Sequence, residues 1–589
     1  MKYYLLTLTL FLSLLTISQN EMTSLVERPS DFEYLSAPDS SGKRTFLETA
    51  VILENKKTQT NNIKLPYPII FIHGLNSNAS TFLPTTFSFM TPQYGLVNGG
   101  RFDYCLNFDG YYSSANTNFA INVANTAGAD IAIFNGTWIA GDFYYVNFDT
   151  GNDGAFGPTS SASNQVQSNQ SAVAKQGMAV RDAISRVLQL TGRDKVILLG
   201  HSMGGLAARE YLQNTNLWMP DGKHHVAKLV TTGTPHGGSN ASFSILNTVF
   251  AGINNQSEAV RDLRESYFYS GSPGVYLYGG TESNAVCNDM LSYNFTNVDV
   301  NCNGTIGNNV VGLNSKTLYN NLDYACIIGT TNPLNGGDGV VDDQNASLAT
   351  YYSLPTPQNT FSVSVSHTSL PAQVYENMQG LDEPNEYLLA YKVGFDSTYT
   401  GFTTMQPAGG YSYDFDDYKF TVTGNNIVTV NLSNIALSNI VVRIVETNTN
   451  NIVAAYQSSG LSSITFTQTL SSGNYYLEIY GTPTSSSYLS PYNFTLSKTP
   501  STIGINELTE KLNNISIYPN PSKNQLTIDS EIYNSEMKIE IYNTLGQVVY
   551  NTALTNSKTT IDISQLSSNV YLMKITSGNL FSYKKFVKE

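Results

Sequence analysis

Apolar residues along this 589-residue chain fall into two rhythms. Up to about residue 375, short unbroken apolar runs alternate with longer mixed stretches. Pro68-Ile-Ile-Phe-Ile72, Val196-Ile-Leu-Leu199, Ala227-Lys-Leu-Val-Thr-Thr232, Tyr324-Ala-Cys-Ile-Ile328 and Phe361-Ser-Val-Ser-Val365 read as strands. A polar stretch from Gln165 to Gln189 predicts a long helix, and Leu206 to Leu212 has helix-forming composition. Continuous apolar strands spaced by helices predict an α/β fold, a mostly parallel sheet with helices on both faces, over residues 19–390.

After about residue 395 the rhythm changes. Tyr418-Lys-Phe-Thr-Val422, Ile427 to Leu432, Ile440 to Val445, Ile464-Thr-Phe466 and Tyr475 to Ile479 are short strands separated by Asn, Ser and Gly turns. With no helix signal between them, residues 396–498 read as a β-sandwich. A polar link, 499–514, leads to a second all-β domain at 515–589.

The first residues add a location. Lys2 precedes an apolar run from Tyr3 to Ile17, and Thr16 and Ser18 supply small residues for cleavage before Gln19. The run is too short for a membrane span, so residues 1–18 read as a secretory signal peptide. No other run is long enough to cross a membrane as a helix. A net charge of -14 argues against nucleic acid as a partner. Only 13% of residues are charged, against 39 tyrosines, which suits an extracellular surface. Of the four cysteines, Cys287 and Cys302 would close a short loop and are the favoured disulfide pair in an exported protein.

Chemistry enters at Gly200-His-Ser-Met-Gly204. It lies between an apolar strand and a helix, the context in which G-x-S-x-G forms a sharp turn presenting a nucleophilic serine. Glycines two residues either side of Ser202 are expected because a Cβ there would strike neighbouring backbone. A base is then needed, and the chain has six histidines. In the order serine, acid, histidine, His224, His225 and His236 come too early to leave room for an acid-bearing strand. His367 remains. The acid belongs in a loop after a strand between them. Asp338, flanked by Gly337 and Gly339, is best placed, with Asp342 and Asp343 as rivals. His73 and His236 read as structural residues of turns.

Two segments resemble known families. Ile517-Tyr-Pro-Asn-Pro521, Leu526-Thr-Ile528, Ile539 to Gln547, Ile561 to Leu566, Val570 to Ile575 and the closing Lys584, Lys585 and Lys588 together resemble the C-terminal sorting domain of type IX secretion cargo. That resemblance implies export and names the type IX secretion machinery as a partner. Residues 400–498 resemble the pre-peptidase C-terminal β-sandwich. His73-Gly-Leu75, Gly200 to Gly205, Thr234-Pro-His-Gly-Gly238 and Gly337-Asp-Gly-Val-Val341 resemble, in order, motifs of bacterial lipases and related α/β-hydrolases, including the inositol-deacylase-like branch. That resemblance implies a triad of Ser202, Asp338 and His367, with the amides of Leu75 and Met203 as an oxyanion hole.

The expectation is a secreted serine hydrolase acting on carboxylic esters, with a lipid ester as substrate and no cofactor. Amide hydrolysis or acyl transfer on the same fold is the alternative. A surface-binding protein with a silent hydrolase scaffold is a more distant one. Phe243, Ile245, Leu246, Val249, Phe250 and Ile253, within 241–266, are candidates for a lid or for ordinary core. Asp299, Asn301 and Asn303 space oxygen side chains as in the first half of a calcium loop. The twelfth position is Val310, which favours a plain turn over a calcium site.

Overall fold

The computed structural model describes residues 33–35, 63–106, 132–134, 138–150, 168–239, 253, 257–264, 274–282, 299–303, 307–331, 337–353, 359–404, 413–458, 460–482, 490–501, 512, 514–530, 533, 537–578 and 580–589. The signal segment, Cys287 and most of the expected lid, 240–252 and 254–256, lie outside them.

Nine strands form the first sheet: β1 (Glu33–Leu35), β2 (Ile69–Ile72), β3 (Asn98–Cys105), β4 (Ala132–Phe134), β5 (Phe143–Asn147), β6 (Val196–His201), β7 (Val226–Thr232), β10 (Asp323–Gly329) and β11 (Asn359–Val363). The short β8 (Gly280–Thr281) and β9 (Asn309–Val310) pair only with each other. The order across the large sheet is β1-β4-β3-β5-β2-β6-β7-β10-β11. From β3 to β11 every pairing is parallel, and β4 runs antiparallel to β3. Central strands β2, β5, β6, β7 and β10 are buried along their whole length, as their unbroken apolar runs require when helices cover both faces. β3 and β5 were not legible as strands, because Gly99 and Gly100 break the apolar pattern of one and Tyr and Asn dilute the other.

The long helix spans Val173–Thr191, shifted from the expected 165–189, and a short 3-10 turn occupies Ser168–Gln170. Its start is fixed from elsewhere in the chain. Glu258 Oε2 accepts from Ala172 N–H at 2.8 Å and Asp262 Oδ2 from Val173 N–H at 2.9 Å. Two carboxylates thus take the place of a local capping side chain at the positive end of the helix dipole.

The expected Cys287–Cys302 pair falls in part outside the described residues, at Cys287. Cys302 is a free buried thiol, in a left-handed turn (φ 53°) that tucks its side chain into the apolar core, and burial raises its pKa well above the ordinary value.

Beyond the α/β region, β12 (Tyr391–Lys392), β13 (Thr398–Phe402), β14 (Asp414–Val422), β15 (Asn426–Ser433), β16 (Ser438–Glu446), β17 (Ile452–Ser458), β18 (Ser463–Leu470), β19 (Gly473–Thr482) and β20 (Pro491–Pro500) make two sheets. Their orders are β12-β14-β19-β16-β17 and β13-β20-β15-β18. The last segment has a three-stranded and a four-stranded sheet, closed over Leu526, Ile528, Ile539, Ile541, Met573 and Phe586.

Candidate active site

The carboxyl ends of parallel strands carry the site. Residues 73–75 follow β2, Ser202 follows β6, residues 233–238 follow β7, the Asp338 loop follows β10 and His367 follows β11. An open α/β sheet gathers its loops at that edge, which is where ligands bind in such folds.

Ser202 sits between β6 and the elbow helix, Met203–Gln213, with φ 53° and ψ -129°. A non-glycine residue in this region is strained. Its N–H donates to the Thr232 carbonyl at 2.9 Å, which ties the turn to β7. Three glycines make the turn possible. A Cβ on Gly200 would lie 2.5 Å from Gly205 N, and one on Gly204 would lie 2.3 Å from the Ile72 carbonyl. One on Gly74 would lie 2.6 Å from Ser202 Cβ. The β2 loop therefore presses directly against the serine.

His367 Nε2 lies 2.9 Å from Ser202 Oγ, and His367 Nδ1 lies 2.7 Å from Asp338 Oδ2. All three residues are buried, with Ser202 at 8% exposure the most open. Asp338 Oδ1 accepts from the N–H groups of Val340 (2.9 Å) and Val341 (2.8 Å). The Asp338 carbonyl accepts from His367 N–H at 3.1 Å. Gly337 and Gly339, at φ 85° and 93°, give the loop a left-handed path that puts this carboxylate against the imidazole. Of the rivals, Asp342 is exposed and precedes the short helix Asp343–Ala346, and His367 Nδ1 bonds to Asp338. Gly233 (φ 60°) backs the pair: a Cβ there would come 3.1 Å from Asp338 Oδ2 and 3.2 Å from His367 Nδ1. Sequence reasoning did not assign Gly233 to the site, although Gly233-Thr-Pro is a visible turn signal.

Met203 is the first residue of the elbow helix, so its N–H precedes the first intrahelical hydrogen bond. Leu75 packs into the same apolar cluster as Met203. His73 donates from Nδ1 to the Gly74 carbonyl (2.9 Å), and its Nε2 accepts from Phe148 N–H (2.8 Å). Burial pulls its pKa down to about 4, so it stays neutral and braces the loop. His236 lies between Arg209 and Thr231, and burial, then the Arg209 charge, lowers its pKa far below the usual value.

Two groups bear on metal binding. In the Asp299–Asn303 stretch, Asp299 Oδ1 accepts from Asn303 N–H at 3.0 Å. The intervening Cys302 has two cations, Lys175 and Arg261, and two carboxylates, Glu258 and Asp299, in its electrostatic surroundings. Asp382, Asp414 and Asp416 bring carboxylate oxygens within 4.8 Å of one another, all buried. Among the described residues this is the one group with metal-ligand spacing.

Two segments of the chain match known families. Residues 163–323 match the family described as the PGAP1-like alpha/beta domain, and residues 516–589 match the secretion system C-terminal sorting domain. The chain thus carries a segment similar to a PGAP1-like alpha/beta domain and a sorting tail that directs export to the cell surface or beyond. No curated protein matches. Among solved structures, a Bacillus licheniformis lipase in its propeptide form is 13% identical, with 91% of this chain and 95% of that one covered and a TM-score of 0.25. A Listeria innocua gene product is 15% identical over 54% of this chain and 95% of its own, with a TM-score of 0.31. The pre-peptidase C-terminal domain of a Bacillus anthracis collagenase is 20% identical over 20% of this chain and 99% of its own, at a TM-score of 0.16. Among the described residues no helix is long and apolar enough to cross a membrane.

Proposed function

We propose that this exported chain, with its PGAP1-like alpha/beta domain, is a serine hydrolase that cleaves carboxylic esters, lipid acyl esters foremost, through an acyl-enzyme. The observation that carries the reading is the unbroken hydrogen-bond path from Ser202 Oγ through both nitrogens of His367 to Asp338. Ser202 Oγ attacks the ester carbonyl carbon while His367 Nε2 takes its proton. Asp338 accepts from the imidazole's Nδ1–H, which leaves Nε2 free to take the proton, and stabilises the imidazolium. The carbonyl oxygen, now carrying the charge, accepts hydrogen bonds from the amides of Leu75 and Met203. Each such donor contributes about 3 kcal/mol to the transition state. The tetrahedral intermediate then collapses. The alcohol leaves with the proton from His367, and water, activated by the same imidazole, releases the acid.

Purified protein assayed on p-nitrophenyl esters of increasing acyl length, beside Ser202→Ala, tests the reading. The substitution is expected to lower kcat by about a million-fold. A fluorophosphonate should label wild-type protein on Ser202 alone. Retained turnover in Ser202→Ala would sink the mechanism. A preference for long acyl chains supports a lipid substrate, and a sharp preference for acetyl esters points to a small-ester hydrolase instead.

A further inference from the structure

We propose that His201 is a positioning residue for this hydrolysis: its ring N–H anchors the main chain of His367 and so fixes the height of the general base above Ser202. The proposal rests on the reading of Ser202 and His367 just given.

His201 is the last residue of β6 and immediately precedes the nucleophile. Its Nε2 lies 3.0 Å from the carbonyl oxygen of His367. A carbonyl can only accept, so Nε2 carries the hydrogen and donates it. In the neutral ring Nδ1 is then a bare acceptor, and it is buried with no hydrogen-bond partner. An orphaned buried acceptor costs on the order of 1–3 kcal/mol. The ring otherwise lies against the edge of Phe82, centroids 6.5 Å apart, where leucine or phenylalanine would pack without that cost. Packing therefore does not explain a histidine here; its donor does.

The geometry around the base shows what that donor accomplishes. His367 opens a short turn, His367–Ala372, whose far end is tied by other side chains. Thr85 Oγ1 donates to the Pro371 carbonyl at 2.8 Å, and Asn377 Nδ2 reaches the carbonyls of Leu370 (3.2 Å) and Pro371 (3.1 Å). At the near end, Asp338 holds His367 by its main-chain N–H and by Nδ1. The nucleophile strand holds it by the two remaining groups, the carbonyl through His201 and Nε2 through Ser202. Consecutive residues of one rigid strand end thus touch the backbone and the ring tip of a single residue. The closed loop of contacts sets the 2.9 Å separation between nucleophile and base. The two imidazoles lie 4.9 Å apart. Burial, then the nearness of His367, lowers the pKa of His201 far below the usual value. It stays neutral and does not repel the imidazolium that forms on His367 during turnover.

The test compares the full chain with His201→Leu, which removes the donor, and His201→Gln, whose side-chain amide offers N–H near the same place. Ser202 labelling rate by a fluorophosphonate, kcat and KM on a p-nitrophenyl ester, and Tm are measured for each. His201→Leu should lower kcat and labelling rate about 10- to 100-fold while KM stays within about twofold. His201→Gln should recover most of both rates, whatever its Tm. A folded His201→Leu protein that labels at the wild-type rate overturns the proposal, as does a folded His201→Gln protein as slow as His201→Leu. If His201→Leu does not fold, His201→Asn, whose amide is too short to reach, takes its place with the same outcomes. Wild-type protein that resists labelling would bring down the hydrolase reading itself, a result distinct from any of these.

Discussion

At the scale of single residues, the acid is the most economical test of how the site is held. Asp338→Asn keeps the size of the side chain and the acceptor toward Val340 and Val341, but can no longer hold the imidazole in the productive tautomer. It should fold normally and lose about 10⁴ in kcat, measured at saturating ester. Gly233→Ala probes the same pair from behind. Its backbone is left-handed and its new methyl would strike Leu370 and crowd Asp338 and His367, so activity should fall at least tenfold, with Tm lowered by roughly 3 °C. That Ser202, Asp338 and His367 would meet was legible in the sequence. A G-x-S-x-G turn, paired glycines around an aspartate and a shortage of late histidines left few other combinations. The parts of His201 and Gly233 were not legible, because each acts through a contact with residues far along the chain that only the sheet order brings close. The amides proposed for the oxyanion hole, those of Leu75 and Met203, are backbone groups, whose position no side-chain pattern encodes.

At the scale of elements, the alternation of apolar runs and helices located five of the seven parallel strands and missed β3 and β5, where glycine and polar residues interrupt the run. The helix start was also out of reach, since its caps, Glu258 and Asp262, lie far along the sequence. The segment at Asp382 and Glu383 and strand β14 meet through another non-local feature, a buried group of carboxyls. Burial raises Glu383 and Asp414 to about 8, and moves Asp382 and Asp416 well above the usual carboxylate range. Thr404 Oγ1 lies 3.0 Å from Asp382 and 3.1 Å from Asp414, yet has one hydrogen to give. The second contact therefore takes its hydrogen from a protonated carboxyl. The folded state keeps protons that the unfolded chain gives up between pH 4 and 5, so this contribution to stability is full below that range and is lost as pH rises through about 8. Tm should fall by roughly 5 °C or more between pH 5 and pH 9, and Asp416→Asn should flatten the slope. A Tm that climbs over that interval would contradict the assignment.

At the scale of the whole molecule, chemistry and destination are written in different segments. The sorting tail has its own apolar core and its own family match over 516–589. Deleting it should leave ester hydrolysis by the purified protein within about twofold while abolishing appearance of the enzyme outside a host equipped with the secretion system, as read by immunoblot of cells against medium. The strand order of the large sheet carries one more consequence, which concerns timing. The nucleophile turn leans on β2, synthesised well before it, and on β7, which follows soon after, but its base lies beyond β11. A nascent chain therefore has its serine long before it has anything to deprotonate it. A chain that ends before residue 367, whether from stalled synthesis or early cleavage, holds the warhead without the trigger. On the proposed mechanism, translation order itself becomes a safety catch, keeping ester hydrolysis silent until the last strand of the sheet is home.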